Sequence, residues 1–208
     1  LVKATDWFRT LTRANDPAVR AGALLRLGRN QKKAGKAEAA LTTYADLERL
    51  GATRVEGFPA AVLALAARCG ILETAGRQSE LSMAAQALRT GLTSGVWPIL
   101  PDAYDFYMKE ARRWTGENGE TEVERNARSI AAAFQATHQH WVNGRDVPQR
   151  QLLIAEGRPV LLASTANQDR LVALIAGAGF LRDGWKHVRG VDVLLADGEG
   201  QVILGTLR

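Results

Sequence analysis

Trp185, His187 and Arg189 are the residues whose types and spacing come closest to a binding chemistry. In an extended strand, alternate residues share a face, so all three side chains project to one side. Arg182 lies just ahead of them and adds a compatible charge. An aromatic ring, an imidazole and a guanidinium together can grip an anion by stacking and charge-assisted hydrogen bonds. These four residues are the candidate ligand-binding set, with a small anionic metabolite as the expected occupant. A sheet face covered by a helix explains Trp185 equally well, and both readings stand at this point.

The other candidate groups carry less. His138 and His140 sit two apart in a helical pattern with Val123, Ala127, Ile130, Phe134 and Trp141. That spacing turns the two rings to opposite sides, so they cannot chelate one metal, and they read as surface histidines. Asp102 and Asp105 fall at a predicted helix start, where acids favour the dipole. Glu117–Glu124 reads as a solvated acidic loop leading into a helix. Gly177-Ala178-Gly179 follows a predicted helix and does not open one, so it is not a phosphate loop. Ser164 and Thr165 lack a Gly-x-Ser-x-Gly context. No nucleophile–base pair emerges, and no catalytic residue, metal ligand set or cofactor is expected. Cys69 is the only cysteine and lies in the apolar stretch Ala60–Leu72, where a small buried core residue is expected.

Charge narrows the partners. The net charge is +5, but residues 1–36 alone hold nine Lys/Arg against Asp6 and Asp16. The rest of the chain is slightly acidic. Arg26, Arg29 and Lys33 fall opposite the side of a helix that holds Ala23, Leu24, Leu27, Gln31 and Ala34, as on a solvated face. No aromatic residues are interleaved with these cations, so nucleic acid is not the expected partner. An anionic membrane surface remains open to the basic end.

The elements that position these residues follow from composition. The 208 residues are 46% hydrophobic and 24% charged, as in a globular protein, and no apolar run reaches the ~18 residues of a membrane span. Residues 1–146 hold 27 of the 34 alanines and only ten Val and Ile, whereas residues 147–208 hold ten Val and Ile and seven alanines. Alanine favours helix and β-branched residues favour strand. An α+β chain follows, with a helical domain over 1–146 and a small antiparallel sheet module over 147–208. Asn143–Pro148 is the joint, punctuated by Gly144 and Pro148. Helices are predicted near 4–13, 17–34, 37–50, 58–75, 78–94, 101–114 and 121–142. Asp16-Pro17 supplies a start signal, and Gly35, Gly51 and Gly76 supply stops. The last region reads β-β-α-β-β: a hairpin about Glu156-Gly157-Arg158, a helix capped by Asn167 or Asp169 and running to about Ala178, and a hairpin about Asp197–Gly200.

Residues 21–52 carry a repeat pattern: Leu27-Gly28, then Gly35, then Ala40, Tyr44 and Leu47. Gly28 and Ala40 let two helices approach, and Tyr44 fills the gap to the next pair. This resembles the tetratricopeptide repeat, with Gln31 where that family has an aromatic and no closing proline near Ala52. A second copy follows, with Gly76 in the place of Gly35 and then Leu81, Ala85 and Leu88 at matching offsets, and with Arg68-Cys69 in place of Leu-Gly. A third begins at Asp102 with Tyr104, Tyr107 and Ala111. The resemblance implies antiparallel helical hairpins and a concave surface for a partner protein, or a stalk or homodimer surface.

Val191–Gly205, an apolar strand, an Asp-Gly-Glu-Gly turn and a second apolar strand, resembles a hairpin of PAS and Cache-type sensor modules. A complete sheet of that kind has five strands and more helical cover, against four strands and one helix counted here. Together the pieces resemble the extracytoplasmic, periplasmic input region of a bacterial two-component sensor histidine kinase. The chain starts at Leu1 without a signal-peptide pattern and ends on an apolar run, which reads as an excised piece. The resemblance implies a membrane-anchored parent and a non-catalytic segment that binds a small ligand or a partner protein. A tetratricopeptide-type interaction scaffold is the alternative.

Overall fold

The structure is a computed structural model that describes residues 2–177, 179–180, 195–196 and 202–204. Among them the chain is α+β and divides into two compact units, residues 1–119 and 120–208.

The first unit is a run of antiparallel helices. α1 (Val2–Leu11), α2 (Pro17–Lys33) and α3 (Ala37–Glu48) are followed by a short hairpin of β1 (Arg54–Val55) and β2 (Phe58–Pro59). α4 (Ala60–Thr74), α5 (Gln78–Thr93) and α6 (Pro101–Thr115) complete it. The Asp16 carboxylate caps α2 by accepting from the Ala18 and Val19 amides, with Pro17 in the first turn. Phe58 and Pro59, predicted as helix, instead pair with β1. Val55 opposes Phe58 across a two-residue turn in which Glu56 and Gly57 both have positive φ, 51° and 85°. This is the type I′ geometry that suits the twist of a hairpin.

The period is visible in the helix boundaries. Pro17, Pro59 and Pro101 stand at the starts of α2, α4 and α6, evenly spaced along the chain. Gly35, Gly76 and Gly116 follow the same three helices, each with φ near +70°, so each can reverse the chain at little cost. Each helix packs on its sequence neighbour, and α4 also touches α2 and α6. These three helices therefore share one side of the unit. α4 is buried through Ala60, Ala61, Val62, Ala64, Leu65, Cys69, Ile71 and Leu72, as a central helix must be.

The α2–α3 contact is an interlock. Tyr44 is only 2% exposed. A Cβ placed on Gly28 would lie 2.8 Å from two carbons of its ring. The absence of a side chain at Gly28 is what admits the ring. Gln31 also finds a purpose, since its Oε1 accepts a 2.7 Å hydrogen bond from the hydroxyl of buried Thr43 on α3. One period on, the equivalents of Gly28 and Tyr44 are Cys69 and Ala85, both fully buried. The larger side chain has moved to the other helix. Burial pushes the Cys69 thiol up to about 12, so it behaves as a small apolar residue.

The second unit begins one helix earlier than composition implies. α7 (Glu122–Val142) is alanine-rich, but it packs on a three-stranded antiparallel sheet of β3 (Arg150–Ala155), β4 (Arg158–Ala166) and β5 (Leu171–Gly177). Its start is a full capping box, Thr121 with Glu124. The β3–β4 hairpin is as expected, with Ala155 opposite Arg158 and Glu156-Gly157 in the turn. The helix expected over about 167–178 is not formed. Leu171–Gly177 is instead β5, paired with β4 from Ala166↔Leu171 to Val160↔Gly177. The Asn167 cap signal is real but serves a turn: its Oδ1 accepts from the Asp169 and Arg170 amides, and its own amide donates to the Arg170 carbonyl. β6 (Leu195–Ala196) and β7 (Val202–Leu204) pair antiparallel within the second expected hairpin.

The interlock predicts a non-additive pair. Tyr44→Ala is expected to cost about 3–5 kcal/mol, and Gly28→Ala about 1–3 kcal/mol by overpacking. In a Tyr44→Leu background, much of the Gly28→Ala cost should vanish. Urea denaturation of these variants and the parent protein checks this, and strictly additive costs would show that the two residues do not meet.

Candidate functional site

Trp185, His187, Arg189 and Arg182 all lie outside the described residues, so the expected anion site has no geometry to assess. His138 and His140 fall on α7. His138 is half-buried in an aromatic row, 5.9 Å from the Phe134 ring and 5.8 Å from Trp141, while His140 is exposed. Among the described residues no group of three His, Cys, Asp or Glu side chains could hold a metal. No described helix is long and apolar enough to cross a membrane.

The second unit does form a cleft, of about 520 Å³, where the end of α7 meets the β4–β5 turn. A volume of that order suits a small molecule. α7 closes with helix-terminal hydrogen bonds, the Gly144 amide donating to the Trp141 carbonyl and the Arg145 amide to the His140 carbonyl. This reverses the chain at Gly144, φ +67°, and carries Arg145, Asp146 and Val147 along one wall. The opposite wall is Thr165, Ala166, Asn167 and Gln168. Trp141 ties the walls together, its indole N–H donating to the Asn167 carbonyl at 2.8 Å. The guanidinium of Arg145 is exposed and makes no hydrogen bond or ion pair among the described residues. The cleft thus offers one aromatic face, one open cation, the Asp146 carboxylate and neutral amide groups. That set suits orientation of a polar ligand. The joint Asn143–Pro148 has the sequence features of a linker, and only the Trp141–Arg145 spacing, one helical turn, marks it as a wall.

Among the contacts that hold α7 on the sheet, two lie at the end of the helix away from this cleft. Arg158 on β4 donates two hydrogen bonds to Glu122, at 2.6 and 2.9 Å. These bonds, and then the one from Arg125, hold the Glu122 carboxyl down to about 2. At the end of β5, a Cβ on Gly177 would lie 2.2 Å from Asn126 Oδ1. The lack of a side chain at Gly177 therefore lets α7 and β5 touch.

The first unit presents a second surface, on the side shared by α2, α4 and α6. Arg29 grips Glu56 with two hydrogen bonds of 2.9 Å, holding that carboxyl below its ordinary range. Beside it, Phe58 and Phe106 pack edge-on against Tyr107, centroids 6.2 and 5.1 Å away. Burial raises the Tyr107 hydroxyl, and the nearby charge of Arg29 opposes this. Further along, Glu73 on α4 accepts from Arg113 and from the Trp114 indole on α6. Lys32, Glu73 and Arg113 occupy successive repeat positions on α2, α4 and α6, so charge alternates in sign across the three helices.

Comparison with protein-family models, with curated proteins and with solved structures finds no match for this chain.

Acid should loosen the second unit through Glu122. Its folded-state carboxyl is held at about 2 against an ordinary 4.5. Its stabilisation is therefore complete above the ordinary value and is lost as pH falls towards 2. Glu122→Gln should flatten the loss of stability between about pH 5 and 2, measured as denaturation midpoints by circular dichroism. An unchanged acid limb would show that the carboxyl does not titrate with folding.

Proposed function

We propose that the chain is a non-catalytic signal-input region of the kind carried by bacterial two-component sensor histidine kinases. On this reading the second unit takes a small polar ligand. The observation that carries the reading is the cleft at the end of α7, with an open guanidinium and an indole on a helix-backed sheet. The described strands of the second unit, with α7 as helical cover, form two separate antiparallel sheets, β3-β4-β5 and β6-β7, and not the single five-stranded sheet of a complete PAS- or Cache-like module. The β-β-α-β-β order itself is not retained, because β5 replaces the helix. The parent is then a membrane-anchored kinase with this region on the periplasmic side.

A second reading has its own observation. The helix starts and the glycine reversals recur at a near-constant spacing, and α2, α4 and α6 share a side. This favours tetratricopeptide-type hairpins acting as a protein-interaction scaffold.

One experiment separates the two. The full-length protein carrying this chain is fractionated, treated with external protease in spheroplasts, and assayed for autophosphorylation from ATP with and without residues 1–208. A membrane protein cut from outside within this region, whose autokinase rate changes on its removal, is the expected result. A soluble protein with further repeats and no kinase activity would favour the scaffold. In parallel, thermal shift with small carboxylates and phosphates should stabilise the chain and not its Arg145→Gln variant. Stabilisation equal in both proteins would exclude this cleft as the ligand site.

A further inference from the structure

We propose that the cleft at the end of α7 takes an α-amino acid with an apolar side chain. The proposal rests on the reading of that cleft as a ligand site and names the class of ligand. Arg145 and Asp146 are neighbours in the chain, and both line the cleft. Both are exposed, and neither side chain pairs with the other or with any group among the described residues. Two opposite charges left open in one cleft select for a ligand that carries both. A simple carboxylate or phosphate gains the guanidinium but meets the Asp146 carboxylate, a like charge that disfavours it, so it binds only weakly. A simple amine gains Asp146 and meets Arg145. A zwitterion satisfies both, its carboxylate accepting from the Arg145 guanidinium and its ammonium donating to Asp146.

The rest of the lining selects the ligand's side chain. The Trp141 N–H is already spent on the Asn167 carbonyl, so what the indole has left to offer is its ring. Val142, beside it in the lining, is 63% exposed, and Val147 is half-buried on the wall that carries Arg145. An apolar side chain laid against these three residues removes them from water. The Asn167 side-chain oxygen is occupied by the Asp169 and Arg170 amides. Among the described residues no charged group besides Arg145 and Asp146 lines the cleft, so a second charge on the ligand would find no partner there. The cleft, of about 520 Å³, is large enough to hold a molecule of this kind.

The test is calorimetric titration of the intact chain with leucine and phenylalanine, and with two fragments of leucine. Isocaproate lacks the ammonium and isoamylamine lacks the carboxylate. Leucine should bind at least about tenfold more tightly than either fragment, because each has lost one charged hydrogen bond. Asp146→Asn should weaken leucine by about tenfold and strengthen isocaproate, whereas Arg145→Gln should weaken both. Both positions are exposed, so the variants should keep the circular dichroism spectrum of the parent protein. Glutamate should bind more weakly than leucine. Isocaproate bound as tightly as leucine would overturn the zwitterion while leaving the cleft as an anion site. An Asp146→Asn change that weakens leucine and isocaproate alike, or no binding of leucine or phenylalanine, would also overturn it. Failure of the sensor reading would appear in the autophosphorylation assay and leave these titrations unchanged.

Discussion

The helical unit depends on how closely α2 can approach α3, and that distance is set at Gly28. Any side chain there would meet the Tyr44 ring, so the glycine and the tyrosine specify each other. Once the ring is seated, Tyr44 joins Ala21, Leu24, Leu25, Ala40, Leu47, Ala60, Ala64 and Ile71 in one core that spans three helices. The next period keeps the spacing and inverts the sizes, Cys69 against Ala85. The two pairs are not of equal volume, since Cys and Ala together are smaller than Gly and Tyr, so what recurs is the spacing and not the filling. The alternating Lys32, Glu73 and Arg113 ride on that spacing, one on each of α2, α4 and α6.

In the second unit the equivalent constraint is the contact of α7 with the sheet. Gly177 admits Asn126, Val160 and Leu162 are buried on β4, and Arg158 reaches Glu122 at the start of α7. The ion pair is too exposed to be a large source of stability. Its use is to fix where α7 begins, and the far end of the same helix then places Trp141 and Arg145 at the cleft. Helix, sheet and cleft are one construction.

Much of this is legible in the sequence where a single residue type has one physical use. The helix stops at Gly35 and Gly76, the Asp16-Pro17 start, the burial of Tyr44 and Cys69 and the Glu156-Gly157 turn all follow from local stereochemistry. Three features do not. Phe58-Pro59 is apolar and precedes an alanine-rich run, so it looks helical, and only the positive φ of Glu56 and Gly57 makes it a strand. Asn167 has the same hydrogen-bonding ability at a helix start as in a hairpin turn, and Leu171–Gly177 is short enough to be either element. Pairing with β4 decides it, and pairing is not local. The alanine content of α7 assigns it to the helical region, yet its partner is a sheet, and composition carries no information about partners. The cleft inherits that blindness, because its two walls come from segments that are not adjacent in the chain.

Native-state hydrogen exchange in a Leu47→Ala background tests most directly whether α7 and the sheet form one body apart from the repeats. Leu47 is fully buried in the helical core, and its truncation should cost that core about 2–5 kcal/mol. The account predicts that amides of α2 to α5 lose protection by this amount, while those of α7, β4 and β5 keep theirs and exchange together. Loss of protection in α7 in step with α2 to α5, with β4 and β5 unaffected, would contradict it.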